Sequence, residues 1–287
     1  MSIAIEVDHL IKNYGQNSVI KEISFSINKG EVFALLGTNG AGKTTTLECI
    51  EGLRKYQNGS ISIDGSFGVQ LQSSSLPENT KAIEAFTLFS KWNKSKVDLS
   101  IFESLGLLEI RNKQYAQMST GQKRRLHLAL ALIGNPDIIL LDEPTAGLDV
   151  EGKVALHDQI KKLKSMGKTI LLSSHDMAEV ESLCDRIAIL KNGKIVFIGT
   201  SRELTSKIQS NITLQIKTSE PLTRKDFAHS TFININDGYN TFITSNIGDS
   251  LMELLSYLKN SSNPLLDIRI LHQSLEESFL GIAKEDK

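Results

Sequence analysis

The chain has 287 residues, 40% of them hydrophobic, and a formal net charge of −1. That length holds one large α/β domain plus a smaller one, and the balanced charge excludes the basic surface of a nucleic-acid binder, so no nucleic acid is expected as a partner. No apolar run reaches the roughly 18 residues that a spanning helix needs, and Met1 to Val7 lack the basic-then-apolar form of a signal peptide. A cytoplasmic location is expected, with any membrane role exerted through another subunit. Cys49 and Cys184 form no Cys-x-x-Cys pair and read as buried thiols of a reducing compartment.

Ile3, Ile5 and Val7, then Ile23, Phe25 and Ile27, alternate as two half-buried strands. Val32 to Leu36 is an apolar run that predicts a buried parallel strand. It leads into Gly37-Thr38-Asn39-Gly40-Ala41-Gly42-Lys43-Thr44-Thr45, a glycine, four variable residues and Gly-Lys-Thr, with a helix start behind it. Strand, glycine loop and helix in this order form a phosphate-binding loop. The glycines bring backbone N–H groups onto phosphate oxygens, and the helix start adds partial positive charge. Lys43 reaches the outer phosphates, and the Thr44 hydroxyl can ligate Mg²⁺.

Asn58-Gly59 predicts a turn feeding a short strand over Ser60 to Asp64, so that an antiparallel layer surrounds the loop. Residues 78–117 change to helical spacing at Ala82, Ile83, Ala85, Phe86, Leu88 and Phe89, and again at Ile101, Leu105 and Leu108. With the strong helix over 122–133 they form a helical insertion of about 78–133. Ile138–Leu141 and Thr169–Ser173 are apolar strands, joined by a helix around 151–166. Asp185–Leu190 and Lys194–Ile198 flank Asn192-Gly193, a hairpin turn. A linker helix starts near 200. Asn211–Lys217, Thr231–Ile235 and Leu266–Leu271 are strand candidates, Asp249–Lys259 is helical, and Leu275–Ile282 reads as a closing amphipathic helix.

Asp142-Glu143 follows the strand 138–141 at its C-terminal end, where parallel α/β sheets bind ligands. Asp142 can hold Mg²⁺ directly or through water, and Glu143 can polarise an attacking water as general base. Taken alone, such a pair is as well explained by a solvated loop. Between the two segments, Met118-Ser119-Thr120-Gly121-Gln122 opens a helix, a second anion-binding helix start. One nucleotide cannot use both starts within one subunit.

This order of motifs resembles the ATP-binding subunits of ABC transporters over residues 2–205. Ser119-Thr120-Gly121-Gln122 resembles the family signature, with Met118 and Thr120 departing from its usual Leu and Gly. The resemblance implies an α/β P-loop NTPase fold (an ABC cassette, 1–205) with an antiparallel β layer and a helical insertion. A small C-terminal α+β domain follows, read from composition over 211–287. It further implies that Tyr14 stacks on adenine and that Ser119 and Gly121 contact the γ-phosphate, with Gln122 beside them. By the same resemblance Gln72 is expected to sense Mg²⁺ and couple to the membrane subunit, with Gln70 a near competitor. Ala146-Gly147-Leu148-Asp149 resembles the loop that touches the partner subunit, and His175 resembles the histidine that contacts the γ-phosphate. The other histidines read as structural or solvated.

The implied activity is ATP hydrolysis by two copies bound head to tail, coupled to a separate integral membrane transporter subunit, with ATP and Mg²⁺ as cofactors. The ending Leu275-Glu276-Glu277-Ser278-Phe279-Leu280 resembles bacterial exporter subunits of the drug and bacteriocin-resistance type. Its competing explanation is an ordinary closing helix. Two other functions compete: a non-transport ABC ATPase of translation or repair, and a non-catalytic ATP switch. A single cassette, the absence of a long insertion between Lys43 and Asp142, and the presence of Glu143 and His175 disfavour them.

Overall fold

The computed structural model describes residues 2–71, 75–208, 212–220, 222 and 226–271. The chain divides into two compact units, Met1–Thr200 and Ser201–Lys287.

In the first unit the chain runs β1 (Ile3–Tyr14), β2 (Asn17–Asn28), β3 (Val32–Leu36), α1 (Lys43–Ile50), β4 (Asn58–Ile63), β5 (Phe67–Gln70), α2 (Ala82–Trp92), α3 (Leu99–Ser104), α4 (Thr120–Ala131), β6 (Ile138–Asp142), α5 (Val150–Ser165), β7 (Thr169–Ser174), α6 (Met177–Leu183), β8 (Arg186–Lys191) and β9 (Lys194–Gly199). A six-stranded sheet has the order β5-β6-β7-β3-β8-β9, parallel except for β9. Every residue of β3, β6 and β7 is buried, because helices or the second sheet cover both faces of these central strands. Their continuous apolar runs follow from that position. The second sheet, β2-β1-β4, is antiparallel. Ile5, Val7, Ile23, Phe25 and Ile27 from it pack with Phe33, Leu35, Leu47, Ile50, Ile138 and Leu140 in one core. Ile3, expected on the same buried face, starts the strand and is exposed.

The Asn58-Gly59 turn does not form. Both residues lie within β4, and Asn58 pairs with Ile11. β1 bulges opposite, where His9 takes a φ of 47°. A Cβ on Gly59 would stand 2.5 Å from the carbonyl oxygens of Asp8 and His9. The glycine serves close backbone approach at a bulge, with a φ of 97°.

The helical insertion is two helices and two 3₁₀ turns, Leu108–Ile110 and Tyr115–Gln117, followed by α4. Ala82, Ala85 and Phe86 form the buried stripe of α2, while Leu88 of the predicted face is exposed. Phe86 and Phe102 meet edge to face at 4.7 Å, fixing α2 on α3. Ile101, Leu105 and Leu108 do not share one helix, since α3 ends at Ser104. The turn Asn192-Gly193 joins β8 to β9 with φ of 50° and 80°, the left-handed pair that matches strand twist.

The second unit contains α7 (Ser201–Ile208), β10 (Ile212–Thr218), β11 (Thr231–Asn236), β12 (Tyr239–Thr244), α8 (Ile247–Asn260) and β13 (Leu265–Leu271). Its sheet, β11-β12-β10-β13, is antiparallel. Leu254 and Leu258 of α8 pack on Leu214, Ile216 and Phe242. The expected closing helix 275–282 lies outside the described residues. Among the described residues no helix is long and apolar enough to cross a membrane.

Glu51 caps α1, and both its carboxylate oxygens are buried without a hydrogen-bond partner among the described residues. Burial, reinforced by the Asp142 and Glu48 carboxylates, pushes its pKa up to about 7. The folded state therefore holds a proton that the unfolded chain has lost above its ordinary value of 4.5. Stability conferred by that proton is complete below this value and is lost as pH rises to about 7. Replacing Glu51→Gln is expected to stabilise the chain by about 1–3 kcal/mol at pH 8, and by less at pH 5. Thermal melts at the two pH values check this; equal gains at both would refute it.

Candidate functional site

The C-terminal ends of β3, β6 and β7, three neighbours in the sheet, converge on one place. β3 runs into the loop Gly37–Gly42, whose last glycine caps α1 at a φ of 108° that a side chain would strain. A Cβ on Gly37 would fall 2.6 Å from the Leu190 carbonyl oxygen. Ala41 N–H donates to the Thr38 carbonyl at 3.1 Å, closing the loop. The Lys43 ammonium is buried and folds back on it, donating to the carbonyls of Gly37 at 2.8 Å and Thr38 at 3.3 Å. It also stands 3.5 Å from Glu143 Oε1. Asn39, Gly40, Gly42, Lys43, Thr44 and Thr45 line a cavity of about 350 Å³ with Val19, Glu143 and His175.

Asp142 ends β6 and is buried. Thr44 Oγ1 lies 3.4 Å from its Oδ1, and the Ser173 hydroxyl donates to the same oxygen. Burial raises the Asp142 pKa, against the pull of the Ser173 and Thr44 hydroxyls. Glu143 adopts a φ of 45°, a left-handed conformation that costs a non-glycine residue about 1–3 kcal/mol. Its N–H donates to Ser173 Oγ at 2.9 Å, and its Oε1 lies 3.3 Å from His175 Nδ1. One hydroxyl thus fixes both members of the acidic pair. Ser173 escapes a reading of the sequence because its position depends on the β6–β7 register, in which it pairs with Asp142.

Ser119, Gly121 and Asp149 line a different cavity, of about 510 Å³, together with Thr120, Arg124 and Leu148. Ser119 caps α4, and its Oγ accepts the Gln122 N–H at 3.3 Å. The Gln122 side chain returns the bond, accepting the Ser119 N–H at 3.1 Å and Lys113 Nζ at 3.0 Å. Gln122 therefore completes a capping box. Asp149 caps α5, accepting the Gly152 N–H at 2.8 Å. Tyr14 is exposed at the end of β1 with Lys12 Nζ 4.6 Å above its ring, and lies outside the wall of the smaller cavity. Gln72 lies outside the described residues. Gln70 is buried at the end of β5 with its side chain unpartnered among the described residues.

Of the histidines read as structural, His127 is buried with Nε2 2.9 Å from the Tyr115 hydroxyl. Burial, with Arg124 and Lys123, lowers its pKa to about 4, so it is neutral near pH 7. Burial raises the thiols of Cys49 and Cys184, as suits inert groups.

The ABC transporter family profile matches residues 20–146. The linearmycin resistance ATP-binding protein LnrL of Bacillus subtilis is 33% identical over 233 residues, 75% of this chain and 75% of its own. The Nod factor export ATP-binding protein I of Burkholderia orbicola is 34% identical over 245 residues, 79% of this chain and 81% of its own. A solved ATP-binding subunit of an ABC transporter, 29% identical, matches with a TM-score of 0.65 over 71% of this chain and 93% of its own.

Proposed function

The chain belongs to the ABC transporter family and is an ATP-hydrolysing subunit; from that premise we propose that two copies enclose two ATP molecules and drive export through a separate membrane subunit. The carrying observation is that Lys43, Glu143 and His175 line one cavity of the chain, while Ser119 and Gly121 line another. A head-to-tail pair related by a two-fold axis joins each cavity to the complementary cavity of the second copy.

In this reading the loop 37–45 holds the phosphates of ATP, and Lys43 exchanges its carbonyl and Glu143 contacts for the outer phosphates. Glu143 takes the proton of the attacking water, and His175 contacts the γ-phosphate. Tyr14 stacks on adenine, and Asp149 meets the partner. A part-buried hydroxyl and a buried carboxylate, Thr44 and Asp142, supply the hard oxygen donors that suit Mg²⁺, with Gln72 as a third. When bound, Mg²⁺ neutralises charge on the transferred phosphoryl group. The export direction, and a drug, peptide or lipid-like substrate, draw on relatives named for linearmycin resistance and Nod factor export. The subunit then sits at the inner face of the cell membrane, held by its partner.

Dilution tests the pairing. Turnover per molecule is expected to rise with protein concentration and to level off once dimers form. A constant rate from strictly monomeric material would sink it. Inverted vesicles carrying the membrane subunit test the direction: ATP added outside is expected to drive substrate inward, and substrate loss instead would exclude export.

A further inference from the structure

A single buried carboxylate ties the loop bearing His175 to the turn 146–149. Glu179 lies in the first turn of α6, with its side chain 2% exposed. Its Oε2 accepts the Ser174 hydroxyl at 2.5 Å and the Thr145 hydroxyl at 3.1 Å. Ser174 immediately precedes His175, and its own Oγ accepts the Asp176 N–H at 3.0 Å. Thr145 immediately precedes the turn Ala146–Asp149, and Asp149 caps α5. The second oxygen, Oε1, has no hydrogen-bond partner among the described residues. His157 Nε2 of α5, equally without one, stands 3.7 Å away.

A carboxylate withdrawn from water is costly unless its oxygens are paired. Packing alone would be met by an apolar residue in this core. Here one oxygen instead gathers hydroxyls from two loops 29 positions apart in sequence, those of Ser174 and Thr145. The other oxygen faces an imidazole just beyond bonding distance. In the tautomer that carries the proton on Nε2, a shift of about 0.5–1 Å would bring His157 into donation. The second oxygen thus leaves the carboxylate one further bond to gain from α5.

We propose that Glu179 is a positioning residue for ATP hydrolysis: by holding Ser174 and Thr145 on one oxygen it ties the placement of His175 to that of the partner-facing turn 146–149. Docking of a second subunit on the turn then sets the histidine, so that hydrolysis follows pairing. The inference rests on the roles given above to His175 and the turn. It adds a physical link between them that acts through neither phosphate nor metal.

Full-length Thr145→Val carries the test, since it removes one hydroxyl at nearly constant shape and leaves Glu179 in place. Glu179→Gln, the pair of substitutions together, Thr145→Ser and His175→Ala complete the set. The readouts are kcat, KM and the affinity for a non-hydrolysable ATP analogue. Thr145→Val and Glu179→Gln are each expected to lower kcat about 10-fold while analogue affinity stays within about 2-fold. The double variant is expected to lose no more than the worse single one, because both break the same link. Thr145→Ser, which keeps the hydroxyl, is expected to retain the parental kcat. Parental turnover in Thr145→Val, or losses that multiply in the double variant, would overturn the proposal even if His175→Ala is slow. Parental turnover in His175→Ala would sink the site assignment and this link together.

Discussion

Glu143→Gln is expected to bind ATP at least as tightly as the parent and to hydrolyse it about 10²–10⁴-fold more slowly, the range a positioned general base supplies. The amide preserves the volume of the side chain between Lys43 and His175, which stand 3.5 Å and 3.3 Å from Glu143 Oε1. It cannot take a proton from water. It also removes the anion that competes with phosphate for Lys43, so ATP binding gains rather than loses. With hydrolysis blocked, the ATP-bound dimer should accumulate. Steady-state phosphate release and sedimentation in the presence of ATP check both halves. Parental turnover would show that another group acts as the base.

The second large effect is on binding. Lys43→Ala deletes a buried ammonium and leaves the Gly37 and Thr38 carbonyls and Glu143 without their cation. In the bound state it deletes charge-assisted bonds to phosphate, each contributing about 1.5–3 kcal/mol. Loss of two such bonds weakens ATP affinity by about 10²–10⁴-fold. Calorimetric titration of the full chain reads this directly. Unchanged affinity would remove the phosphate-loop assignment, whatever the turnover.

Elements whose signal is local were legible in the sequence. The run Val32–Leu36 and the loop behind it, the strand ending in Asp142, the Ser119-capped helix and the Asn192-Gly193 hairpin each follow from neighbouring residues. What was missed depends on partners distant in sequence or on very short segments. β5 is four residues long and contains a glycine, and α6 is seven residues. β12 pairs with both β10 and β11 and could have been found from Asp237-Gly238, a left-handed turn pair with φ of 50° and 80°. Asn58-Gly59 carries the same kind of signal, yet the bulge in β1 uses it inside a strand. In the site, residue types located the glycine loop between β3 and α1 and the acidic pair at the end of β6. Ser173, the Gln122 cap and the Glu179 link required strand register and packing to become visible.

The strand order has a consequence for how the molecule is made. β7 lies between β3 and β6, although it is synthesised after both. A nascent chain stalled before Thr169 therefore has a slot at the centre of its main sheet, with two apolar strands facing a gap. Such an intermediate offers unpaired backbone along both sides of the slot, the kind of surface that chaperones shield and that drives misassembly. Ser173, whose hydroxyl fixes both Asp142 and Glu143, arrives only with the missing strand. The acidic pair is thus fixed and the slot between β3 and β6 closed in one step, when β7 slides into place.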